Sequence, residues 1–242
     1  MKFRILFAGM ILLPFLSNAQ FGNESPIPYF RYSVTAGVGA NQLYGDLAKR
    51  QVGPTAYLRG SYFLTHGLSV GLEVQEGLLM GEDKGDLEPV RRTRNLYHAA
   101  MLDVRFQPLK YMQDDHIRRS EYKHPYGKRV LSSVYGGAGV GAIYNLQWDR
   151  RRPANGSAGE MDEIYEGKDY GLGYFLTTDI GFELPLHSLK PNLLDSYIWS
   201  IVVNGQANFA FDDEVDGYSG NYPENTSKDV FGVVSIGVNL RF

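Results

Sequence analysis

The side chains that could carry out chemistry in this chain are its histidines, one acidic segment and two clusters of arginines. The five histidines are scattered, and no HxxxH or HxH pair places two potential metal ligands together. A hydrolase would need a serine or an acidic residue beside a histidine. His98 has the most suitable surroundings, yet no serine motif lies near it. The sequence therefore predicts a protein that is not an enzyme, with no catalytic residues, no metal and no cofactor.

Two further clusters give no specific site. The glycine-rich run Gly136–Gly141 (GGAGVG) lies inside an alternating segment, and no helix follows it, so a phosphate-binding loop is not indicated. Its glycines instead favour strand curvature or close packing against large side chains. The acidic residues Asp212, Asp213, Glu214 and Asp216 offer oxygen ligands for calcium, but their spacing alone does not specify a site.

Apolar and polar residues alternate along almost the whole chain. In the last segment, read in twos, Val234, Ile236 and Val238 fall on one face, whereas Ser235 and Asn239 fall on the other. Eight such segments occur, and each is long enough to cross a bilayer as a tilted strand. They are Tyr29–Asn41, Pro54–Leu64, Leu68–Gly77, Asn95–Gln107, Val130–Tyr144, Gly171–Leu184, Ser196–Phe211 and Val230–Phe242.

This pattern predicts an all-β fold, an eight-stranded antiparallel transmembrane β-barrel whose apolar face contacts lipid. Inward charges such as Arg59, Glu73 and Asp103 would then pair inside a lumen just wide enough for side chains. The alternative is a soluble lipocalin-like barrel or sandwich, in which the apolar face points inward. Aromatic residues at both ends of the segments favour the membrane form, because they match interfacial girdles. They are Tyr29, Phe30, Tyr62, Phe106, Phe182, Tyr197, Trp199 and Phe242 at the inner end, and Tyr44, Tyr144, Tyr170 and Phe209 at the outer end.

The chain termini predict export to a bacterial outer membrane. Lys2 and Arg4 precede the apolar run Ile5–Leu16, and the small residues before Gln20 suit signal cleavage after Ala19. We therefore expect a signal peptide over residues 1–19 and an outer-membrane barrel domain over residues 20–242. The chain has no cysteine, so neither a lipoprotein anchor nor a disulfide is expected. With 24 basic and 27 acidic residues, it shows no basic excess that would indicate nucleic-acid binding.

Two short motifs resemble those of a known family. The first strand leads into Gly37–Leu47 (GVGANQLYGDL), and the fourth opens with Arg91–Leu96 (RRTRNL). This combination resembles the PorG-like outer-membrane β-barrels of Bacteroidetes, which belong to the type IX secretion system, although Leu43 replaces a usual aromatic residue. The resemblance is most specific over Tyr29–Gln107. Its motif residues are Tyr44, Gly45, Asp46, Leu47, Arg94, Asn95 and Leu96.

The resemblance implies a non-enzymatic protein that contacts a periplasmic ring, built from a lipoprotein and its partner, and helps to hold it at the outer membrane. The sequence adds an independent indication, because periplasmic turns of such barrels are short, whereas Pro108–Arg129 is long and basic. We predict that this segment binds the partner, although a long turn without a function is the simpler interpretation. Its basic residues are Lys110, Arg118, Arg119, Lys123, Lys128 and Arg129.

The competing functional hypothesis is a small barrel of the OmpA or OmpX type, which serves envelope integrity or adhesion. Such a protein would act through its outer connections, predicted at Leu43–Gly53, Leu78–Arg94, Asn145–Tyr170 and Asp212–Asp229. The outer arginines would either bind lipopolysaccharide phosphates or form a solvated rim. They are Arg91, Arg92 and Arg94, and Arg150, Arg151 and Arg152. The predicted partners are thus outer-membrane lipid, periplasmic ring proteins and lipopolysaccharide, but not nucleic acid.

Overall fold

Eight antiparallel strands form one closed barrel in which every strand pairs with its neighbours in the chain. The computed structural model describes residues 31–44, 49–65, 67–83, 91–111, 126–147, 170–186, 198–211 and 229–242. The strands are β1 (Tyr32–Tyr44), β2 (Lys49–Thr65), β3 (Leu68–Asp83), β4 (Arg91–Phe106), β5 (Tyr135–Gln147), β6 (Tyr170–Pro185), β7 (Ile198–Ala210) and β8 (Val230–Arg241). The predicted signal peptide lies outside these residues. Among the residues described, no helix has the length and apolarity needed to cross a membrane.

The last strand closes the barrel against the first, as the alternation predicts. β1 pairs with β8 from Ser33↔Arg241 to Tyr44↔Val230. Beyond these pairs, the N–H of Tyr32 donates to Phe242 O at 3.0 Å, and the N–H of Phe242 donates back at 2.9 Å. The two rings also stack, with centroids 6.2 Å apart. We call this end of the barrel the inner end, and the end at Tyr44 and Val230 the outer end.

The strands are strongly staggered around the barrel. A path that starts at Tyr44 in β1 and steps from each residue to its paired residue on the next strand, from β8 round to β2, returns to β1 at Val34. The end of the path is therefore ten residues away from its start along β1. An offset of this size requires strands tilted by ~35–45° to the barrel axis. A row of paired residues therefore descends toward the inner end as it passes from β1 through β8 and β7 to β6.

The polarity of the wall is that of a transmembrane barrel. Large apolar side chains cover the exterior; Val38 is 61% exposed and Ile180 is 67% exposed. Polar and charged side chains are buried inside, where Arg59 and Glu73 are each 1% exposed. Aromatic residues flank the apolar exterior at both ends, with Trp199 near the inner end and Tyr144 near the outer end. A soluble barrel would show the opposite arrangement, so the predicted transmembrane form is confirmed.

Several strands are longer than the sequence predicts, because residues that usually end strands lie inside them. β2 begins at Lys49 rather than Pro54, and the register against β3 shifts between Gln51 and Thr55. Pro54 lies in this bulge, one of the few places within a sheet where proline, which has no N–H to donate, is found. β3 runs past Gly77 to Asp83, and β4 begins at Arg91 rather than Asn95. Parts of the predicted outer connections Leu43–Gly53 and Leu78–Arg94 are therefore strand.

The predicted start of the fifth strand, Val130, is wrong. The described residues between β4 and β5 include two short helices, α1 (Pro108–Tyr111) and α2 (Tyr126–Ser132), and β5 begins only at Tyr135. Ser133 closes α2, because its N–H and its hydroxyl oxygen lie 3.0 and 2.7 Å from Val130 O. The same hydroxyl accepts a hydrogen bond from the N–H of Glu183 in β6 at 3.1 Å. These hydrogen bonds end α2 and join its C-terminus to β6.

Candidate functional site

The inner half of the lumen holds a network of five ionisable side chains from four strands. We call Arg59, Glu73, Asp103, Arg105 and Asp179 the charged network. Each of them occupies an inward position on β2, β3, β4 or β6, where the alternation places one residue in two toward the lumen. The alternation in the sequence thus correctly predicts that these charges face inward, whereas the structure shows which of them pair.

The geometry of the network is that of mutually compensating ion pairs. Arg59 forms an ion pair with Asp103 and lies 3.7 Å from a carboxylate oxygen of Glu73. Arg105 forms an ion pair with Asp179 and lies within 3.5 Å of both Glu73 and Asp103. The guanidinium of Arg105 also lies over the ring of Tyr135, 4.7 Å from its centroid. Charges buried in this way stay ionised only while they are paired, so the arginines hold four strands in one arrangement.

A separate ion pair lies nearer the inner end. Arg241 Nη2 donates to both carboxylate oxygens of Glu183, at 3.2 and 2.9 Å. The guanidinium carbon of Arg241 lies 4.1 Å from the centroid of the Phe63 ring. The side chains of this pair are 16% and 15% exposed, so water reaches it more easily than the charged network.

Above the charged network, Tyr97 connects amide and hydroxyl side chains across the lumen. Its hydroxyl donates to Gln75 Oε1 at 3.3 Å, lies 2.9 Å from Thr55 Oγ1, and accepts from the Asn41 amide at 3.4 Å. Gln75 continues the chain by donating to Gln206 Oε1 at 2.8 Å. Asn41 and Tyr97 belong to the two strands that carry the family motifs, so the structure brings these strands together across the lumen.

The outer half of the lumen combines buried amide side chains, such as Asn95 and Asn208, with an apolar cluster that the sequence did not lead us to expect. We call this cluster the outer layer, and its residues are Leu43, Leu79, Tyr97, Ala99, Met101, Ile143, Phe175, Ala210, Phe231 and Val233. The ring of Phe231 lies 5.6 Å from that of Tyr97 and 5.7 Å from that of Phe175, between centroids. The alternation does indicate this cluster, because Phe231 and Val233 lie four and two positions before the inward residue Ser235 and therefore face the lumen as well. In the described part of the chain, buried side chains therefore occupy both halves of the lumen.

The structure describes only some of the motif residues. Tyr44 ends β1 and faces outward, with its hydroxyl donating to Gln42 Oε1 at 2.9 Å. Asn95 is buried and its amide donates to Asn145 Oδ1 at 3.0 Å, while Leu96 lies on the outward side of β4 and Arg94 is half-buried beside them. Gly45, Asp46 and Leu47 lie outside the described residues. The motifs therefore carry structural contacts wherever their side chains are seen.

The predicted partner-binding segment is partly visible at the inner end. Lys110 lies in α1 and is half-buried; α1 contacts α2, and α2 contacts β6. Three leucines of this surface are largely exposed, namely Leu109, Leu131 and Leu186. Arg118, Arg119 and Lys123 lie outside the described residues, as do the side chains of Lys128 and Arg129 in α2.

The remaining residues that the sequence singled out as possible catalytic or metal-binding groups do not form a site in the described part of the chain. His98 Nδ1 lies 3.5 Å from Glu76 Oε1 on the outward faces of β4 and β3, and both side chains are exposed. Within the described ranges, no three histidine or acidic side chains come together as potential metal ligands. The glycines of β5 pack against large lumen side chains, as expected; a Cβ at Gly141 would overlap the ring of Phe175. The acidic residues 212–216 lie outside the described residues.

Fold and lumen together define a transmembrane β-barrel with an occupied lumen. No protein-family model and no curated protein sequence matches the chain, so the PorG-like resemblance stays a prediction. Among solved structures, it is similar to Neisserial surface protein A, with 12% identity over 87% of this chain and 97% of that one, at a TM-score of 0.45. OprG of Pseudomonas aeruginosa is 12% identical in sequence over 90% of this chain and 99% of that one, at a TM-score of 0.44. Ail of Yersinia pestis is 13% identical over 88% of this chain and 99% of that one, at a TM-score of 0.42. At this level the likenesses concern the outer-membrane barrel fold alone.

Proposed function

We propose that the protein is a non-enzymatic barrel of the bacterial outer membrane that binds a periplasmic protein-secretion complex, of the type IX kind, through its inner end. The observation that carries the proposal is the surface formed by α1, α2 and the end of β6. In this account the inner end faces the periplasm, as expected for a barrel whose terminal strands both end there.

The inner-end surface has the composition of a protein-binding site. Leu109, Leu131 and Leu186 are 44%, 61% and 55% exposed beside Lys110. Exposed leucines on neighbouring elements are characteristic of interaction surfaces. The hydrogen bond from Glu183 to Ser133 fixes α2 to the barrel wall. A fixed helix presents its side chains in a defined geometry, which lowers the entropy lost on binding.

The occupied lumen supports a role that needs neither transport nor catalysis. The charged network and the outer layer fill the positions at which a channel would hold water, and eight strands leave little further space. The motifs at β1 and β4 support the type IX assignment through the family resemblance. The basic residues of the α1–α2 segment favour a partner whose contact surface is acidic.

The proposal is tested by capturing the tagged barrel in mild detergent and measuring co-purified periplasmic ring proteins. The decisive variant combines Leu131→Ser with Leu109→Ser, because both side chains are exposed at the inner end and neither carries a charge that acts on the ion pairs of the lumen. Ring proteins should be lost from this variant, whereas Leu102→Ser on the lipid-facing side of β4 should retain them. Equal recovery from both variants, with both barrels folded, would exclude the proposed interface.

A small barrel for envelope integrity or adhesion is the second candidate, and one observation favours it. β3 and β4 continue their pairing at the outer end through Met80↔Arg94 to Asp83↔Arg91. β1 and β8 stop at Tyr44 and Val230, so this hairpin extends the wall on one side. If adhesion is the function, removal of residues 148–169 should abolish cell attachment, while the inner-end variant should leave it unchanged.

A further inference from the structure

A shallow groove crosses the lipid-facing surface of the barrel at β6, β7, β8 and β1. Its volume is about 520 Å³, within the ~300–1,000 Å³ typical of ligand sites. The floor is one row of paired residues whose side chains are small or polar. In order across the strands they are Gln42, Gly232, Ala207 and Thr178.

Large side chains stand beside this row at several points. The next outward row toward the outer end includes Tyr44 and Phe209, and the next row toward the inner end includes Val234 and Ile180. Outward rows lie ~7 Å apart, because every second residue of a strand faces outward. The inner row also contains the small residues Ala40 and Gly205, so the depression is wider there, and its outward side chains carry no formal charge. The lining further includes Val52 of β2 and four residues whose side chains are buried in the lumen, namely Asn41, Asp179, Gln206 and Val233.

The groove runs obliquely through one half of the membrane. The row from Gln42 to Thr178 crosses three inter-strand steps of ~4.8 Å, which makes it about 14 Å long. With a strand tilt of ~35–45°, it descends by roughly 10 Å from the outer end. One leaflet contributes about 15 Å of hydrocarbon, so the groove passes from the membrane interface most of the way to the bilayer centre.

The two ends of the groove differ in polarity. At the interfacial end, the hydroxyl of Tyr44 donates to Gln42 Oε1 at 2.9 Å, so the nitrogen of the same amide is directed to other acceptors. At the deep end, the groove is bordered by Ile180, which is 67% exposed. A ligand with one polar carbonyl end and one hydrocarbon end matches this gradient.

We propose that the groove binds one acyl chain of a membrane lipid in the outer-end leaflet, with the ester carbonyl of the lipid near Gln42 and the chain directed toward Ile180. The groove is continuous with the apolar exterior, which is already the lipid interface of the barrel. Its length, its slope and its confinement to one leaflet fit a single chain. A second copy of the protein would instead need a wide, flat contact, because stable interfaces bury ~1,200–2,000 Å².

Photo-crosslinking in lipid nanodiscs tests this proposal. The probe is a phosphatidylcholine whose acyl chain carries a diazirine, and the labelled peptides are mapped by mass spectrometry. We expect labelling of β7 and β8 to exceed that of β3 and β4. Ala207→Phe, which fills the groove, should reduce β7 and β8 labelling to the level of the rest of the surface. The matched control, Ala100→Phe on the outward face of β4, should leave the enrichment unchanged.

A second variant keeps the test decisive if Ala207→Phe fails to fold. A Cβ added at Gly232 would lie 3.5 Å from the Tyr44 ring, an ordinary contact, so Gly232→Val should fold and partly fill the groove. Even labelling around the wild-type barrel would overturn the proposal. It would also be overturned if enrichment persists in a folded groove-filling variant, or if β7 and β8 crosslink to a second copy of the chain.

Discussion

Replacement of Arg59 by methionine is the sharpest perturbation of the lumen, because it removes a fully buried charge and keeps an unbranched, flexible side chain. Arg59 lies 3.7 Å from a Glu73 oxygen, and its side chain is 0% exposed. At an effective dielectric constant of ~20, two unit charges at this distance attract by about 4 kcal/mol. Removal of one partner of a buried pair typically costs ~3–5 kcal/mol, because the other charge stays buried without compensation. We expect Arg59→Met to lower the free energy of unfolding by about this amount.

The measurement is guanidinium unfolding in lipid vesicles, followed by tryptophan fluorescence and extrapolated linearly to water. Arg241→Met is the matched control, and it should cost only about 1–2 kcal/mol because water can hydrate the remaining carboxylate of Glu183. Addition of Asp103→Asn to Arg59→Met should restore about 1–3 kcal/mol, since the double variant removes both members of the closest pair. The reasoning is refuted if Arg59→Met costs no more than Arg241→Met, or if Asp103→Asn adds to its cost.

Three further predictions follow from close packing in the lumen. Gly71→Ala should destabilise the barrel by about 1–3 kcal/mol, because the new Cβ overlaps a buried guanidinium, whereas Gly60→Ala, with open space around it, should be neutral in the same unfolding assay. Tyr97→Phe should lower the free energy of unfolding by about 1–3 kcal/mol, because it leaves buried amides without the hydroxyl that they share. The control, Tyr144→Phe, removes an exposed hydroxyl and should cause no measurable change. Equal losses of stability in the two variants would contradict the hydrogen-bond assignment. In planar bilayers the wild-type protein should show no ion conductance, and steady single-channel openings would contradict an occupied lumen.

The sequence predicts this fold well because a β-barrel wall repeats every two residues. Because side chains alternate between the two faces of a strand, Val234 and Ile236 must face lipid if Ser235 faces the lumen. One residue of known orientation therefore fixes the orientation of the other residues in its strand. The same rule places Arg59 and Glu73 inside. Closure of β8 on β1 follows from the need to satisfy every backbone hydrogen bond within the membrane.

What the sequence did not predict depends on contacts between distant residues. The outer layer was not predicted because inward residues were expected to be polar. It also depends on contacts between strands, such as the packing of Phe231 against Phe175. The extension of β2 past Pro54 depends on a bulge that only the register against β3 reveals. The helix α2 depends on Ser133 meeting Glu183, a residue far along the chain. Periodicity carries no information on such pairings.

The central claim is that the apolar face of each strand contacts lipid and the polar face lines a closed lumen. Because the chain has no cysteine, single cysteines can be introduced along β8 and spin-labelled without background. Accessibility to oxygen in nanodiscs should be high at Val234, Ile236 and Val238 and low at Ser235 and Asn239. High accessibility at Ser235 and Asn239 with protection of the other three would contradict the account, because that pattern belongs to a barrel with an apolar interior.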